Sequence, residues 1–444
     1  MDNTRVHLVG IGGDGMVPLA ELLWELGAEV TGSDLVEGRG IRELRERGIS
    51  VCLGHREENV WGAETVVFSS AVPPHNPELS GARRSGAEVL PRLLALGRLL
   101  SRKRLIAVCG THGKTTTTAW IAHLLRPWDV GFYVGAEVRG LPRARWGASP
   151  WFVAEVDESD GLFLGLFPEV AVLTNVDRDH LSSYGNFVRL KASFSAFLAK
   201  AASVVVCADD PVSLEASRGH GQKFTYGLSA GADLSARDVH IGPEGTIFSV
   251  YLSGNRLGET MIPAFGIHNV RNALAALAAG HVIGASLREL LGKLPSLPLP
   301  ARRLEVVVEN GYVLVDDYAH HPREIAAGIA AARARWPKRR VRVLFQPHRF
   351  SRTAFLHREL GEVLARADYA VVTEIYPAFE VPVPGVSGEL VFRAMRGYGG
   401  RGAFVSQPVR AVEALLEVSS PGDVLVCFGA GDIWKHFRDI PKML

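Results

Sequence analysis

Short apolar runs recur along the chain, and most of them end in glycine or in a polar residue. Val6-His7-Leu8-Val9 leads into Gly10-Ile11-Gly12-Gly13-Asp14-Gly15, and a helical pattern occupies 17–26. Glu29-Val30-Thr31 opens a second run that stops at Gly32-Ser33-Asp34, and Thr65-Val66-Val67-Phe68 a third that stops at Ser69-Ser70-Ala71. Runs this short, bounded by turn residues, predict buried strands. Their alternation with helices predicts a parallel, doubly wound α/β sheet, in which ligands collect at polar strand ends.

The pattern continues through a second segment, about 99–298. Leu105-Ile106-Ala107-Val108 predicts a strand, Gly110-Thr111-His112-Gly113 a turn, and Lys114-Thr115-Thr116 the approach to a helix that runs through Leu124. Strand, glycine turn, Lys-Thr and helix make a phosphate cradle, because backbone N–H groups and the helix amino end face the anion. Lys114 would reach the outer phosphates and the Thr115 hydroxyl would ligate magnesium. The loop is a shortened G-x-x-G-K-T, with Val108 where the longer motif has glycine. Two more strand ends carry hard oxygen ligands: Glu155, Asp157, Glu158 and Asp160 after one run, and Asn175, Asp177, Asp179 with His180 after another. Carboxylates beside a phosphate loop suit a magnesium–nucleotide site; a solvated acidic loop is the plain alternative. A later helix brings Asn269 and Asn272, which would read an adenine edge or simply cap and pack.

Pro295, Pro298 and Pro300 form a linker into a third segment, about 299–444. Four apolar runs with polar or glycine ends alternate there with helical stretches at 324–335 and 355–367, predicting a second open α/β sheet. His320-His321 and His348-Arg349 stand at strand ends. Neighbouring loop histidines rarely point the same way, which favours substrate positioning or a structural role over metal binding.

Composition narrows the class. The 444 residues exceed one ordinary core, so two or three domains are expected. A net charge of +2 supplies no field for nucleic acid or anionic membrane. The four cysteines lie far apart, which argues against zinc, and Cys109 and Cys427 read as packed thiols in a reducing compartment. No apolar run approaches the ~20 residues of a membrane span, and the chain enters its first strand without a signal peptide, so a cytoplasmic location is expected. One ambiguity stays open. Gly10, Gly12 and Gly15 fit G-x-G-x-x-G, and Asp34 sits where a nicotinamide enzyme would place its ribose ligand. A nucleotide-sugar pyrophosphate suits the same turn.

Taken in order, GIGGDGM, GSD, SSAV with NPE, GTHGKTTT, EVDESDG, TNVDRDHL, HNVRNALAA, DDYAHHP, FQPHRFSRT and GAGDI resemble the motif series of the Mur ligase family, nearly end to end from Val6 to Ile433. The resemblance implies an α/β protein of three domains: a Rossmann-like N-terminal domain over 1–98 for a UDP-sugar, a central P-loop ATPase domain over 99–298, and a Rossmann-like C-terminal domain over 299–444 that takes the amino acid. The closest motif match is to the enzymes that use ATP and Mg2+ to join L-alanine to UDP-N-acetylmuramate, acting as a monomer or homodimer.

It further implies that Gly110, Thr111, His112, Gly113, Lys114, Thr115 and Thr116, with Asn272 and Asp316 or Asp317, hold ATP. Thr115, Glu155 (or Glu158 in its place) and His180 would hold metal. Arg303 would reach the phosphates, and His348, Arg349 and Arg352 would orient alanine and the acyl phosphate. Gly10, Gly12, Gly13, Ser33, Asp34, Ser70 and Ala71 would line the UDP-sugar site. Asp14, Leu162 and Arg323 depart from the family pattern, and Asp14 places an acid beside the expected pyrophosphate. Phe194 stands where some relatives carry a carbamylated lysine, with Lys191 nearby, so no such modification is expected. A peptide-recycling ligase shares the first motifs but not DESDG. A dehydrogenase would leave GTHGKTTT unexplained.

Overall fold

Three sheets organise the described residues, 4–443 without 180, 243 and 379, of this computed structural model. The first contains β1 (Arg5–Val9), β2 (Glu29–Asp34), β3 (Ser50–Leu53), β4 (Thr65–Phe68) and β5 (Glu88–Pro91) in the order β3-β2-β1-β4-β5. Every pairing in it is parallel. The strand order reverses at β1, so the glycine turn that follows β1 lies at the switch point, where such sheets open a crevice.

The second sheet has ten strands: β6 (Arg104–Cys109), β7 (Gly131–Tyr133), β8 (Ala144–Arg145), β9 (Trp151–Glu155), β10 (Val170–Leu173), β11 (Ser203–Cys207), β12 (Lys223–Gly227), β13 (Leu234–Ile241), β14 (Thr246–Leu252) and β15 (Asn255–Ile262). Its centre positions the site. β6 pairs in parallel with β10 on one side and β9 on the other, with Val108 opposite both Val172 and Glu155. The loops leaving β6, β9 and β10 therefore emerge side by side at one sheet edge. The third sheet contains β16 (Glu305–Asn310), β17 (Tyr312–Asp317), β18 (Val341–Phe345), β19 (Tyr369–Val372), β20 (Gly402–Phe404) and β21 (Val424–Phe428), ordered β16-β17-β21-β18-β19-β20, with β16 alone antiparallel to its neighbour.

The chain divides into two compact units: Met1–Asp238 with Phe248–Thr260 and Arg271–Pro300, and Val239–Ile247 with Met261–Val270 and Ala301–Leu444. The first sheet and most of the second share a unit, and one apolar cluster runs from Val6, Leu8 and Leu19 through Leu93 and Leu96 to Phe163, Phe194 and Phe197. Apolar periodicity identifies each strand but not which sheets share a core. The second unit has its own clusters on the two faces of its sheet.

Helix positions agree with expectation to a residue or two, with one larger difference. The first helix is Met16–Glu25. The helix expected from 324 begins at Pro322, where His321 and Glu324 form a reciprocal capping box. The helix expected from 355 is Phe350–Leu364 and starts immediately after Arg349, whose φ of +71° ends the preceding loop. Cys109, Cys207 and Cys427 are buried and Cys52 is exposed. Among the described residues no helix is long and apolar enough to cross a membrane.

Phe163 is fully buried and packs against Phe194 and Phe197 with ring centroids 5.5 and 4.9 Å away. Phe163→Ala should lower stability in denaturant titration by about 3–5 kcal/mol. The nearby exposed Phe167→Ala should stay within about 0.5 kcal/mol of the parent.

Candidate active site

The turn between β6 and the helix Lys114–Leu124 is shaped by its glycines and by the neighbouring strand end. Gly110 and Gly113 adopt φ of +120° and +82°. A Cβ on Gly110 would lie 2.4 Å from Thr174 Oγ1, and one on Gly113 would lie 2.5 Å from Asn272 Oδ1. Asn175 accepts from Thr111 N–H through its carbonyl (2.9 Å) and from His112 N–H through its side chain (3.1 Å). Its amide and the Thr174 hydroxyl both donate to the His112 carbonyl, at 3.0 and 2.7 Å. Asp177 N–H donates to Thr111 Oγ1 at 2.8 Å, and His112 Nε2 lies 3.2 Å from Asp177 Oδ2. The amides of Thr111 and His112 are thus engaged by Asn175. The donors left for an anion are those of the first helical turn, which have no intrahelical partner. Asn272 sits against this turn, with Thr117 Oγ1 donating to its Oδ1 at 3.4 Å.

The carboxylates divide between two partners. Lys114 Nζ donates to Glu158 Oε2 (2.9 Å) and to the Gly110 carbonyl (2.7 Å). Burial opposes its charge, but Glu158, Asp157 and Glu155 outweigh burial and hold the ammonium above the usual lysine range. Thr115 Oγ1 donates to Glu155 Oε1 at 3.0 Å, and Gly135 N–H donates to Glu155 Oε2 at 2.9 Å. Burial raises the Glu155 carboxyl in spite of Lys114 and these donors, and it raises Asp160 as well. Either Glu155 or Glu158 is expected as the magnesium ligand beside Thr115; in the structure Glu155 touches Thr115 and Glu158 touches Lys114. His180 lies outside the described residues. Phe194 is buried, and Lys191 pairs with Glu215 at 2.7 Å.

At the other glycine turn, the amides of Gly10 and Ile11 donate to the Ser33 carbonyl at 2.8 and 3.0 Å. Gly12 N–H donates to Asp34 Oδ2 at 2.9 Å, and Leu35 N–H donates to Asp34 Oδ1 at 2.7 Å. Gly13 opens the helical turn, its carbonyl accepting from Met16 N–H at 2.8 Å. Ser70 and Ala71 are exposed at the end of β4. Ser33 differs from expectation. It is fully buried, and its hydroxyl donates to Glu78 Oε2 at 2.5 Å, beside His55. Its side chain holds the strand end in place from beneath. Asp14 is exposed, 3.7 Å from the Arg143 guanidinium.

In the second unit His348 stacks on Tyr376, with ring centroids 5.6 Å apart and planes at 10°. Arg352 Nη1 lies 3.2 Å from His348 Nδ1. Arg349 N–H donates to the Tyr376 carbonyl at 2.9 Å, and its positive φ is the kind of backbone strain that clusters at functional sites. The paired histidines diverge as expected: His321 caps its helix, while the His320 ring lies 5.7 Å from that of His348. Arg303 lies 3.6 Å from Glu324. Asp316 also differs from expectation: it is fully buried, and Arg302 and Arg438 donate to its carboxylate at 3.2 and 3.0 Å. Asp317 accepts from the amides of Leu304 and Ala319, and burial, only partly offset by Arg303, pushes its carboxyl up to about 6. Motif reading missed Tyr133, Arg92 and Tyr376. Tyr376 follows the apolar run of β19, but nothing local marks the other two.

Residues 5–104 match the family described as "Mur ligase family, catalytic domain", 150–280 the "Mur ligase middle domain" and 302–431 the "Mur ligase, glutamate ligase domain". A UDP-N-acetylmuramate–L-alanine ligase of Xylella fastidiosa (strain M12) is 42% identical over 97% of this chain and 93% of its own. The protein of that name from Sorangium cellulosum is 42% identical over 99% of this chain and 96% of its own. The crystal structure of UDP-N-acetylmuramate-alanine ligase from Thermotoga maritima superposes with a TM-score of 0.86 at 28% identity, covering 99% of each chain. A murein peptide ligase from Psychrobacter arcticus shares the fold at a TM-score of 0.72 and 23% identity, over 100% of this chain and 98% of its own.

Asn175→Ala should loosen the phosphate loop. Affinity for an ATP analogue, read by titration calorimetry, is expected to fall about tenfold, the size of one or two lost hydrogen bonds. The thermal midpoint should move by only a few degrees.

Proposed function

The chain belongs to the Mur ligase family, and from that premise we propose that it joins L-alanine to the carboxylate of UDP-N-acetylmuramate at the expense of ATP. This is the first amino-acid addition to the peptidoglycan precursor, and it would take place in the bacterial cytoplasm. The choice of alanine is supported by 42% identity, over nearly the whole chain, to ligases of that name. The chemistry rests on one observation: Lys114 and Thr115 stand side by side, each against its own carboxylate, the buried Glu158 and the half-buried Glu155. Membership of a ligase family removes the nicotinamide reading of the glycine turn.

A carboxylate resists attack by an amine, so it is first activated. A carboxylate oxygen of the muramate attacks the γ-phosphorus, the bond from that phosphorus to the β-γ bridging oxygen breaks, and ADP departs. The amine of alanine then attacks the acyl carbon and phosphate leaves with the bonding pair. Such transfers depend on positioning and charge stabilisation. Lys114 would exchange Glu158 for the β- and γ-phosphate oxygens, and the amino end of the helix Lys114–Leu124 would bind them from below. The Thr115 hydroxyl and Glu155 fit a magnesium ion, because a buried carboxyl raised by desolvation gains from a nearby cation. The metal would neutralise charge that builds on the transferring phosphoryl group. His180 keeps the metal role that the family resemblance gives it.

The turn at Gly10, Gly12 and Gly13, before the helix Met16–Glu25, suits the pyrophosphate of the UDP-sugar, with Ser70 and Ala71 at its rim. Asp34 holds this turn closed. Arg303 would meet phosphate charge. His348, Arg349 and Arg352 would orient the alanine carboxylate, with Tyr376 fixing the His348 ring. Asn272 supports the Gly113 turn, and the Arg302–Asp316–Arg438 network supports the third sheet.

Phosphate release from ATP and magnesium should require both UDP-N-acetylmuramate and L-alanine, and the product should be heavier by one alanyl residue. Release only with L-Ala-γ-D-Glu-meso-diaminopimelate as acceptor would overturn the reading in favour of peptide recycling. Lys114→Ala should lower kcat by roughly a thousandfold. Glu155→Gln should raise the magnesium concentration for half-maximal rate by about tenfold, consistent with the loss of one charged ligand at ~1.4 kcal/mol per decade.

A further inference from the structure

The chain at the end of β7 meets both the first glycine turn and a carboxylate beside the second. Tyr133 closes β7 and is 1% exposed. Its hydroxyl donates to the carbonyl of Gly15, the last residue of the glycine turn and the N-cap of the helix Met16–Glu25. The same hydroxyl accepts from Arg92 Nη1 at 2.7 Å. Arg92 begins the helix Arg92–Leu99, and its other nitrogen, Nη2, lies 3.9 Å from Asp157 Oδ2. Gly15 leaves room for this guanidinium, since a Cβ there would come within 2.6 Å of Arg92 Nη1. Two residues beyond Tyr133, the amide of Gly135 donates to Glu155 Oε2 at 2.9 Å, and Glu155 holds the Thr115 hydroxyl. The tyrosine hydroxyl and the guanidinium thus join the end of the first glycine turn to the carboxylates beside the second.

We propose that Tyr133 and Arg92 are positioning residues that couple the two nucleotide sites, so that UDP-N-acetylmuramate tightens the binding of magnesium–ATP and the reverse. The proposal rests on the ligase reading. The sign follows from charge. Arg92 is one half-buried cation held between the Tyr133 hydroxyl, which caps the glycine turn, and Asp157. An anionic pyrophosphate at the turn draws the guanidinium toward Gly15 and weakens its hold on Asp157. The carboxylate cluster is then left more negative, which favours a divalent cation there. Linkage makes the effect reciprocal.

The test is titration calorimetry on the full-length protein, using magnesium with a non-hydrolysable ATP analogue, in the absence and presence of saturating UDP-N-acetylmuramate. The wild-type protein should bind the analogue about five- to twentyfold more tightly when the sugar nucleotide is present, within the usual range of such couplings. In Tyr133→Phe the ratio should fall to within about twofold of one. Arg92→Lys keeps the charge but not the fork and should give an intermediate ratio. A purely structural role would weaken both affinities alike and leave the ratio intact. Wild-type binding of both ligands without coupling, or a wild-type ratio retained in Tyr133→Phe, overturns the inference while sparing the ligase reading. Absence of analogue binding in the wild type, with and without the sugar nucleotide, overturns the ligase reading itself. If Tyr133→Phe does not fold, the ratio in Arg92→Lys decides, and an unchanged ratio there counts against the proposal.

Discussion

The parallel pairing of β9, β6 and β10 is the constraint on which the candidate site depends. Because β6 is hydrogen-bonded on both sides in parallel register, three chain segments reach the same edge pointing the same way. One supplies the phosphate turn, one the acidic loop, and one the asparagine and aspartate that grip the turn. In a parallel sheet, a shift of one residue would turn each side chain to the opposite face. Val108, Val172 and Ala154 at the sheet centre are fully buried, so such a shift would expose apolar groups and is resisted by the core.

Within that frame, the charges form a balanced set with one replaceable member. A buried lysine without a counterion would be costly, and Glu158 supplies the counterion here. A phosphate can take the place of Glu158 at Lys114 without leaving the ammonium unpaired. A displaced carboxylate would remain beside Glu155 and Asp157, where its added negative charge would suit a metal. The hydroxyl of Thr115 and the amide of Gly135 fix Glu155 whichever partner Lys114 has.

Features governed by neighbours in the chain were legible from the residues alone. The strands, the glycine turns and the Lys-Thr placement follow from periodicity and backbone geometry, and the divergent roles of His320 and His321 follow from their adjacency. Features governed by distant approach were not. Ser33 and Asp316 stand at polar strand ends exactly as ligand-binding residues do in sequence, yet burial hands their oxygens to Glu78 and to two arginines. Tyr133 sits in an ordinary apolar strand and acquires a partner 118 positions away. The helix Phe350–Leu364 starts earlier than its apolar pattern predicts, because Arg349 adopts a positive φ that its side chain does not advertise.

The grip of Asn175 on the phosphate turn also bears on how the protein is made. His112 and Asn175 are separated by 63 positions, and Thr117 meets Asn272 across 155. Synthesis delivers the glycines and Lys114 long before the residues that hold them in shape. On the ribosome, the emerging turn is a flexible peptide until β10 has left the exit tunnel and paired with β6. Nucleotide recognition is therefore acquired late, once most of the first unit has been translated. A chain interrupted before that point carries the whole phosphate-loop motif and still lacks the architecture to use it.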